Sequence, residues 1–113
     1  MADKADLKYT LTLDFYGTQG AWHALMGTEV KGRSASRNHD RCLKALKTGC
    51  MKMRAETEGD FVGGTITLNA DQFTYLKDIT EKKLTSGVPG TVGEGYCALL
   101  DALDAAKDAA EKG

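Results

Sequence analysis

Residues 36 to 56 carry the pattern that most restricts how this chain folds. At the 100° turn per residue of an α-helix, their apolar side chains fall on one arc of roughly 120°. This arc holds His39, Cys42, Leu43, Leu46, Gly49, Cys50 and Met53. Basic side chains occupy the other side, and Ser36 is suited to cap the first turn. The pattern predicts an amphipathic helix that buries this arc in the core, turns a basic face to solvent and ends at the TEGD sequence.

Positive charge is concentrated in residues 31–54, which overlap this helix. The whole chain has a net charge of −1, but this segment has eight basic residues against one acid, Asp40, for a net +7. Residues 1–30 and 55–113 carry −2 and −6. The basic residues are Lys31, Arg33, Arg37, Arg41, Lys44, Lys47, Lys52 and Arg54. Like charges on neighbouring helical turns repel, so the pattern indicates that something acidic meets this face.

Three acidic counterparts would explain the basic face. A nucleic-acid backbone gains from several Lys and Arg contacts through counterion release, and an acidic protein surface can use the same face. The third is the acidic C-terminal helix of the same or a neighbouring subunit, with Asp101, Asp104, Asp108 and Glu111. The candidate binding residues for an external partner are Arg33, Arg37, Arg41, Lys44, Lys47, Lys52 and Arg54. Residues 31–54 contain no aromatic residue, which argues against single-stranded nucleic acid and favours a duplex backbone or a protein.

The sequence before the basic segment contains one clear strand. In LKYTLTLDF, apolar and polar residues alternate, which predicts a strand with one buried face. The buried face would hold Leu7, Tyr9, Leu11, Leu13 and Phe15. YGTQG is interpreted as a turn, and AWHALMG is either a short helix ending at Gly27 or a second strand.

The second half of the chain predicts a strand and two helices. GGTITLN forms a strand with Ile66 and Leu68 on one face, and Asn69 or Asp71 caps a helix that extends to about Leu84. TSGVPG interrupts the chain. Thr91 is suited to cap a last helix. Its buried stripe would be Tyr96, Leu99, Leu100 and Leu103.

This order of elements predicts a single α+β domain over residues 1–113. A small two- or three-stranded sheet would be covered by the basic amphipathic helix and by the C-terminal helix pair. Two strands alone form a weak sheet. Either the short element at residues 21–27 adds a third strand, or a second subunit extends the sheet in a homodimer.

No set of residues indicates catalysis, so we expect no enzyme, no cofactor and no metal. Neither a Gly-x-Ser-x-Gly elbow nor a phosphate-binding loop occurs, and the glycines of VGEGY suit a tight turn and close helix packing. His39, Cys42 and Cys50 share one helix face. This face is either a Cys–His site or part of the core, where free cysteine is usually found.

Three features predict a cytoplasmic protein outside the membrane: three cysteines, no signal-like apolar start and no apolar run of ~20 residues.

Residues 64–104 resemble the ribbon-helix-helix family of DNA-binding proteins. TITLNADQFTYLKDITEKK has a strand leading directly into a helix, with Phe73, Leu76 and Ile79 at the family's spacing, and TVGEGYCALLDAL would be the second helix. The resemblance implies that two such strands pair across a dimer and insert outward side chains into the major groove. The outward residues would be Thr65, Thr67 and Asn69. A plain strand–helix–helix unit has the same pattern.

These patterns together predict a small non-enzymatic intracellular binding protein, with regulation as a candidate role. Its basic helix within residues 31–54 would contact nucleic acid. The alternative is an interaction or assembly module whose basic face docks an acidic protein partner.

Overall fold

The computed structural model describes residues 7–112 and confirms the predicted α+β class. Its elements are β1 (Lys8–Leu13), α1 (Phe15–Met26), α2 (Arg33–Cys50), β2 (Met51–Ala55), β3 (Glu58–Phe61), β4 (Gly64–Asn69), α3 (Ala70–Ser86) and α4 (Gly90–Lys112). β1 pairs with β4 and β2 pairs with β3, which gives two separate two-stranded sheets in the described range. The opening residues, on which the expectation of no signal peptide depends, lie largely outside that range.

β1 and β4 form an antiparallel ribbon with one buried and one exposed face, as their alternating sequences predict. Tyr9 lies opposite Leu68 and Leu11 opposite Ile66, and all four side chains are buried. The outward face carries exposed threonines at positions 10, 12, 65 and 67. α4 packs against β1 and α2 packs against β4, so the core lies between the ribbon and the helices.

The first strand ends at Leu13, earlier than predicted, because Asp14 caps α1. The Asp14 side chain accepts a hydrogen bond from the Gly17 backbone N–H at 2.7 Å. Phe15 therefore begins a helix and is 48% exposed, where a buried strand position was predicted. The predicted turn at YGTQG is wrong for the same reason. The undecided segment that follows is the rest of this helix, which ends at Gly27, and it is not a third strand.

The basic helix is confirmed, although it both begins and ends before its predicted limits. α2 starts at Arg33 after Gly32, so Ser36 lies inside the helix and is not its cap. The helix ends at Cys50, whose carbonyl accepts the backbone N–H groups of residues 62 and 63 at 3.0 and 2.8 Å. These two hydrogen bonds hold the chain that leaves β3 against the end of α2.

Residues 51–54 belong to β2, where the prediction had extended the helix. The sequence Met-Lys-Met-Arg alternates apolar and basic residues, so its pattern fits a strand as well as a helix. Met53, predicted to face the core from the helix, is half-buried in the β2–β3 hairpin. Lys52 and Arg54 leave the helix with it.

The strand–helix–helix half of the chain largely follows the prediction. The Asn69 side chain accepts the Gln72 backbone N–H at 2.9 Å, and the Gln72 side chain accepts the Asn69 backbone N–H at 3.1 Å. This reciprocal cap begins α3. Thr91 lies inside α4, which starts at Gly90, so its predicted capping role is wrong. The predicted stripe of α4 is buried at Tyr96, Leu99 and Leu103 and half-buried at Leu100.

α1 and α4 cross in direct backbone contact at Gly20 and Gly95. A Cβ atom added at Gly20 would collide with the Gly95 carbonyl, and one added at Gly95 would lie 2.6 Å from the Tyr16 carbonyl oxygen. Beside this crossing, His23 Nδ1 lies 2.8 Å from Tyr96 Oη. The prediction that VGEGY serves close helix packing is confirmed at Gly95.

We expect Gly95→Ala to destabilise the fold and Gly93→Ala, in the same helix, to stabilise it. The methyl group at position 95 has to push α1 away, and overpacking of this kind costs about 1–3 kcal/mol. A Cβ at position 93 meets nothing within 4 Å. Replacing glycine by alanine inside a helix gains up to about 1 kcal/mol. Urea denaturation measures both changes, and equal stability of the two variants would contradict the close crossing.

Candidate nucleic-acid interface

Three arginines of α2 lie together on the exposed side of the helix. Arg33, Arg37 and Arg41 are four residues apart, so each lies one turn beyond the last on nearly the same face. They line a shallow groove of about 360 Å³ that also includes Ser34, Asn38 and Asp71. All three arginines are exposed, and within residues 7–112 none of them forms an ion pair. We call these three residues the arginine row.

The backbone adds positive potential at the start of the arginine row. α2 begins after Gly32, which has no side chain to cap the first turn, and that turn carries no acid. The first N–H groups of an α-helix have no acceptor within the helix, and the aligned peptide dipoles place about half a positive charge there. The arginine row therefore begins at a helix end that already favours anions.

Lys44 and Lys47 continue the positive charge along α2, but each has a partner. Lys44 Nζ lies 3.0 Å from a carboxylate oxygen of Asp40 on the same helix. Lys47 is half-buried, and its Nζ lies 5.9 Å from the centre of the Trp22 ring of α1. A cation over an indole face is attracted by the ring quadrupole. Lys47 thus marks the point where the basic face meets α1.

Lys52 and Arg54, the remaining predicted site residues, lie on the β2–β3 hairpin and face acids. Lys52 is opposite Asp60 in the strand register. The Arg54 guanidinium lies 3.6 Å from the Glu58 carboxylate and 3.5 Å from the Asp60 carboxylate. Exposed pairs of this kind contribute little to stability, but they reduce the net charge that a partner meets. The structure therefore separates these two residues from the arginine row.

The acidic helix α4 packs mainly against parts of the chain other than the basic face. Its principal contacts are with α1, β1 and α3, whereas α2 packs on β4, α3 and α1. The Asp104 carboxylate lies 3.8 Å from Lys77 Nζ of α3. Within one chain, α4 is therefore poorly placed to neutralise the arginine row.

His39 lies on the inner side of α2, where this helix meets α3 and α1. Its Nδ1 lies 2.6 Å from Tyr75 Oη of α3, and its ring lies near the Leu25 backbone of α1. Burial lowers the pKa of His39, and the charge of Asp40 and the nearby Leu25 backbone oppose this effect more weakly.

Cys42 and Cys50 are core residues, as their positions on the helical arc predict. Each is 1% exposed. Burial raises the pKa of Cys42 to about 12, and its Sγ donates to the Gln72 carbonyl at 3.5 Å. Burial also raises the pKa of Cys50. A buried thiol that stays protonated at neutral pH is a poor nucleophile, so the geometry favours the core interpretation of this face over a Cys–His pair.

The segment with the ribbon-helix-helix pattern corresponds to β4, α3 and most of α4. β4 pairs with β1 of the same chain, and Thr65 and Thr67 are exposed on the ribbon. Thr67 Oγ1 lies 3.4 Å from Thr10 Oγ1 on the neighbouring strand. Asn69 is half-buried, and its side chain is engaged in the cap of α3. The exposed side chains of this ribbon are therefore mainly threonines contributed by both strands.

A cluster of aromatic rings that was not predicted lies where α1 meets the hairpin. It consists of Phe15, Tyr16, Trp22 and Phe61, and we call it the aromatic patch. The ring centre of Phe15 lies 5.4 Å from that of Tyr16 and 5.9 Å from that of Phe61, and Phe61 lies 6.5 Å from Trp22. Phe15, Tyr16 and Trp22 are close in the sequence, but their contact with Phe61 depends on the β2–β3 hairpin. The hairpin was not predicted, because residues 51–54 were assigned to a helix.

Comparison of the chain with family models, with curated proteins and with solved structures gave no match. Within the described residues, no group of three or more His, Cys, Asp or Glu side chains is placed to hold a metal ion. None of the helices between residues 7 and 112 has the length and hydropathy that crossing a membrane requires. The functional argument therefore depends on the surfaces of the chain itself.

We expect one of the three thiols to react rapidly in the native protein. Cys97 is exposed, whereas Cys42 and Cys50 are buried. A chromogenic disulfide reagent should modify Cys97 quickly, and the other two should react only when denaturant unfolds the protein. Cys97→Ser is the control and should remove the fast phase. Rapid modification of Cys42 or Cys50 without unfolding would contradict their placement in the core.

We expect His39 to make the protein less stable as the pH falls. In the unfolded chain His39 takes up a proton near its ordinary pKa of 6.5, whereas burial keeps the pKa in the folded protein below that value. The free energy of unfolding should therefore fall as the pH drops through 6.5 and level off below the folded pKa.

Urea denaturation at a series of pH values, compared with His39→Gln, isolates this contribution. The variant should lose the part of the pH dependence that is due to His39. His23→Gln, which breaks the other His–Tyr hydrogen bond, controls for the loss of such a bond. An identical pH dependence in wild type and His39→Gln would show that His39 does not cause it.

Proposed function

We propose that this chain is a small, non-enzymatic binding protein that contacts nucleic acid through the basic face of α2, with regulation as a candidate role. The observation that supports the proposal is the arginine row. It presents three exposed guanidinium groups along one helix face, and none of them forms an ion pair within residues 7–112. The row starts at an uncapped helix N-terminus, which strengthens the positive potential.

The geometry of the arginine row suits a phosphate backbone. A guanidinium group can donate two parallel hydrogen bonds to one phosphate. With a rise of 1.5 Å per residue, Arg33 and Arg41 are about 12 Å apart along α2. A duplex strand carries one charge per ~3.4 Å of its axis, so the row can contact more than one phosphate. Such contacts carry no sequence information, and we expect weak sequence specificity.

The salt dependence of binding tests the proposal. We expect wild-type protein to bind a short duplex at low salt, with an affinity that falls steeply as salt is added. Each phosphate contact contributes about −0.9 to the slope of log K against log salt. The double substitution Arg37→Ala, Arg41→Ala should therefore flatten the slope by roughly two contacts. Fluorescence anisotropy of a labelled duplex measures the affinity and its slope.

The matched control is the double substitution Lys52→Ala, Arg54→Ala. It removes the same formal charge from the hairpin, where both residues face acids. It should change the slope less than the arginine substitutions do. All four residues are exposed, so circular dichroism should show an intact fold for both double variants. If the two variants behave alike, net charge is the cause and the arginine row is not the binding surface.

An acidic protein partner is the second candidate, and the same arginine row favours it. A carboxylate, like a phosphate, accepts two hydrogen bonds from one guanidinium group. The absence of binding to any nucleic acid at low salt would select this alternative.

A cytoplasmic location and a homodimeric state complete the proposal. The latter is supported by the ribbon, in which β1 and β4 pair only with each other among the described strands.

A further inference from the structure

We infer that the aromatic patch stacks the unpaired bases of a single strand whose phosphates run along α2. This inference depends on the proposed function and specifies which form of nucleic acid the chain prefers. Within residues 31–54 the lack of aromatic residues favours a duplex. The fold changes that conclusion because it brings rings from α1 and β3 to the basic helix.

Two rings of the aromatic patch are exposed, and the other two, Trp22 and Phe61, are half-buried. Phe15 is 48% exposed and Tyr16 is 54% exposed, and both carry large apolar surfaces. Phe15 meets Tyr16 and Phe61 at interplanar angles of 84° and 83°, so these contacts are edge-to-face. In the core, by contrast, Tyr9 and Phe73 are stacked with their centres 4.2 Å apart. Edge-to-face contacts leave part of the ring faces of the patch open to a flat ligand.

Positive charge connects the aromatic patch to the arginine row. Lys47 lies over Trp22, and Lys44 lies between it and the arginines on the same helix. By the helical rise, Arg33 and Lys47 are about 20 Å apart, a span of several nucleotides of an extended strand. The acids that precede Phe15 and Phe61 in the sequence are engaged: Asp14 caps α1, and Asp60 pairs with Arg54.

The combination of the basic face of α2 with accessible aromatic rings suits single-stranded nucleic acid in particular. Every base has a π-face, so stacking on aromatic side chains tolerates any sequence, while the basic groove follows the backbone. A duplex keeps its bases stacked internally and would use only the charged track. A second copy of this chain would bring an equally basic surface beside the patch, so its charge is less complementary.

Trp22 gives a direct measurement, because it is the only tryptophan of the chain. We titrate the full chain with an unlabelled oligothymidine strand and with a duplex of equal length at the same low salt. Stacking near Trp22 should quench its fluorescence with the single strand and much less with the duplex. Anisotropy with labelled strands gives the two affinities independently of the Trp22 signal.

Phe15→Leu keeps an apolar side chain but removes the ring. It should weaken single-strand binding by roughly 5- to 150-fold, the range expected for loss of one stacked base. Binding of the duplex, which offers no unstacked base, should weaken far less. Val62→Ala is the control, since Val62 is exposed next to Phe61 but carries no ring. Tyr16→Leu provides a second test if Phe15→Leu fails to fold.

The outcomes separate this inference from the proposed function. If the duplex binds and the single strand neither quenches Trp22 nor responds to Phe15→Leu or Tyr16→Leu, the proposed function stands and the inference is wrong. If neither nucleic acid binds, both fail. If light scattering shows a wild-type dimer that the ring-removing variants dissociate, the patch is a self-association surface and the inference is overturned. Selective loss of single-strand binding in the variants supports it.

Discussion

The backbone contact between Gly20 and Gly95 is the constraint on which both candidate surfaces depend. Because neither residue has a Cβ atom, α1 can lie directly on α4, and His23 reaches the Tyr96 hydroxyl. The same placement of α1 sets the Leu25 backbone near His39 and the Trp22 ring beneath Lys47. α2 is therefore positioned against α1 partly by contacts that require this close crossing.

One side of α2 is buried in the core and the other side carries the arginine row. This division explains why the protein tolerates a row of like charges. Cys42, Leu46 and Cys50 are buried, and His39 forms a hydrogen bond with the Tyr75 hydroxyl of α3 on the same side of the helix. Burial of this side stabilises the helix in place, since the arginines form no ion pairs in the described range. Repulsion along the outer face is a smaller effect, because exposed charges are screened by water and salt.

The sequence predicted the elements whose pattern extends over many residues and failed where a short signal competed with a longer one. The two strands of the ribbon, the core arc of α2 and a cap at Asn69, one of the two predicted candidates, all follow from periodicity and local chemistry. Residues 51–54 fit both a helix and a strand, and only pairing with β3, together with the hydrogen bonds to the Cys50 carbonyl, decides between them. At Asp14, a single capping carboxylate ended a strand whose alternation continued to Phe15.

The candidate site shows the same division between local and tertiary information. The arginine row was predictable because a spacing of four residues on one helix already places its members together. The aromatic patch was not, because Phe61 comes to Phe15 and Trp22 only through the hairpin that follows α2. The early end of α2 is therefore decisive for function as well as for fold. Had the helix continued through residue 54, two more cations would have extended the basic face. Instead, the chain turns back at Cys50 and brings Phe61 to Phe15 and to Trp22, the ring that lies beneath Lys47, which adds an apolar component to an electrostatic surface.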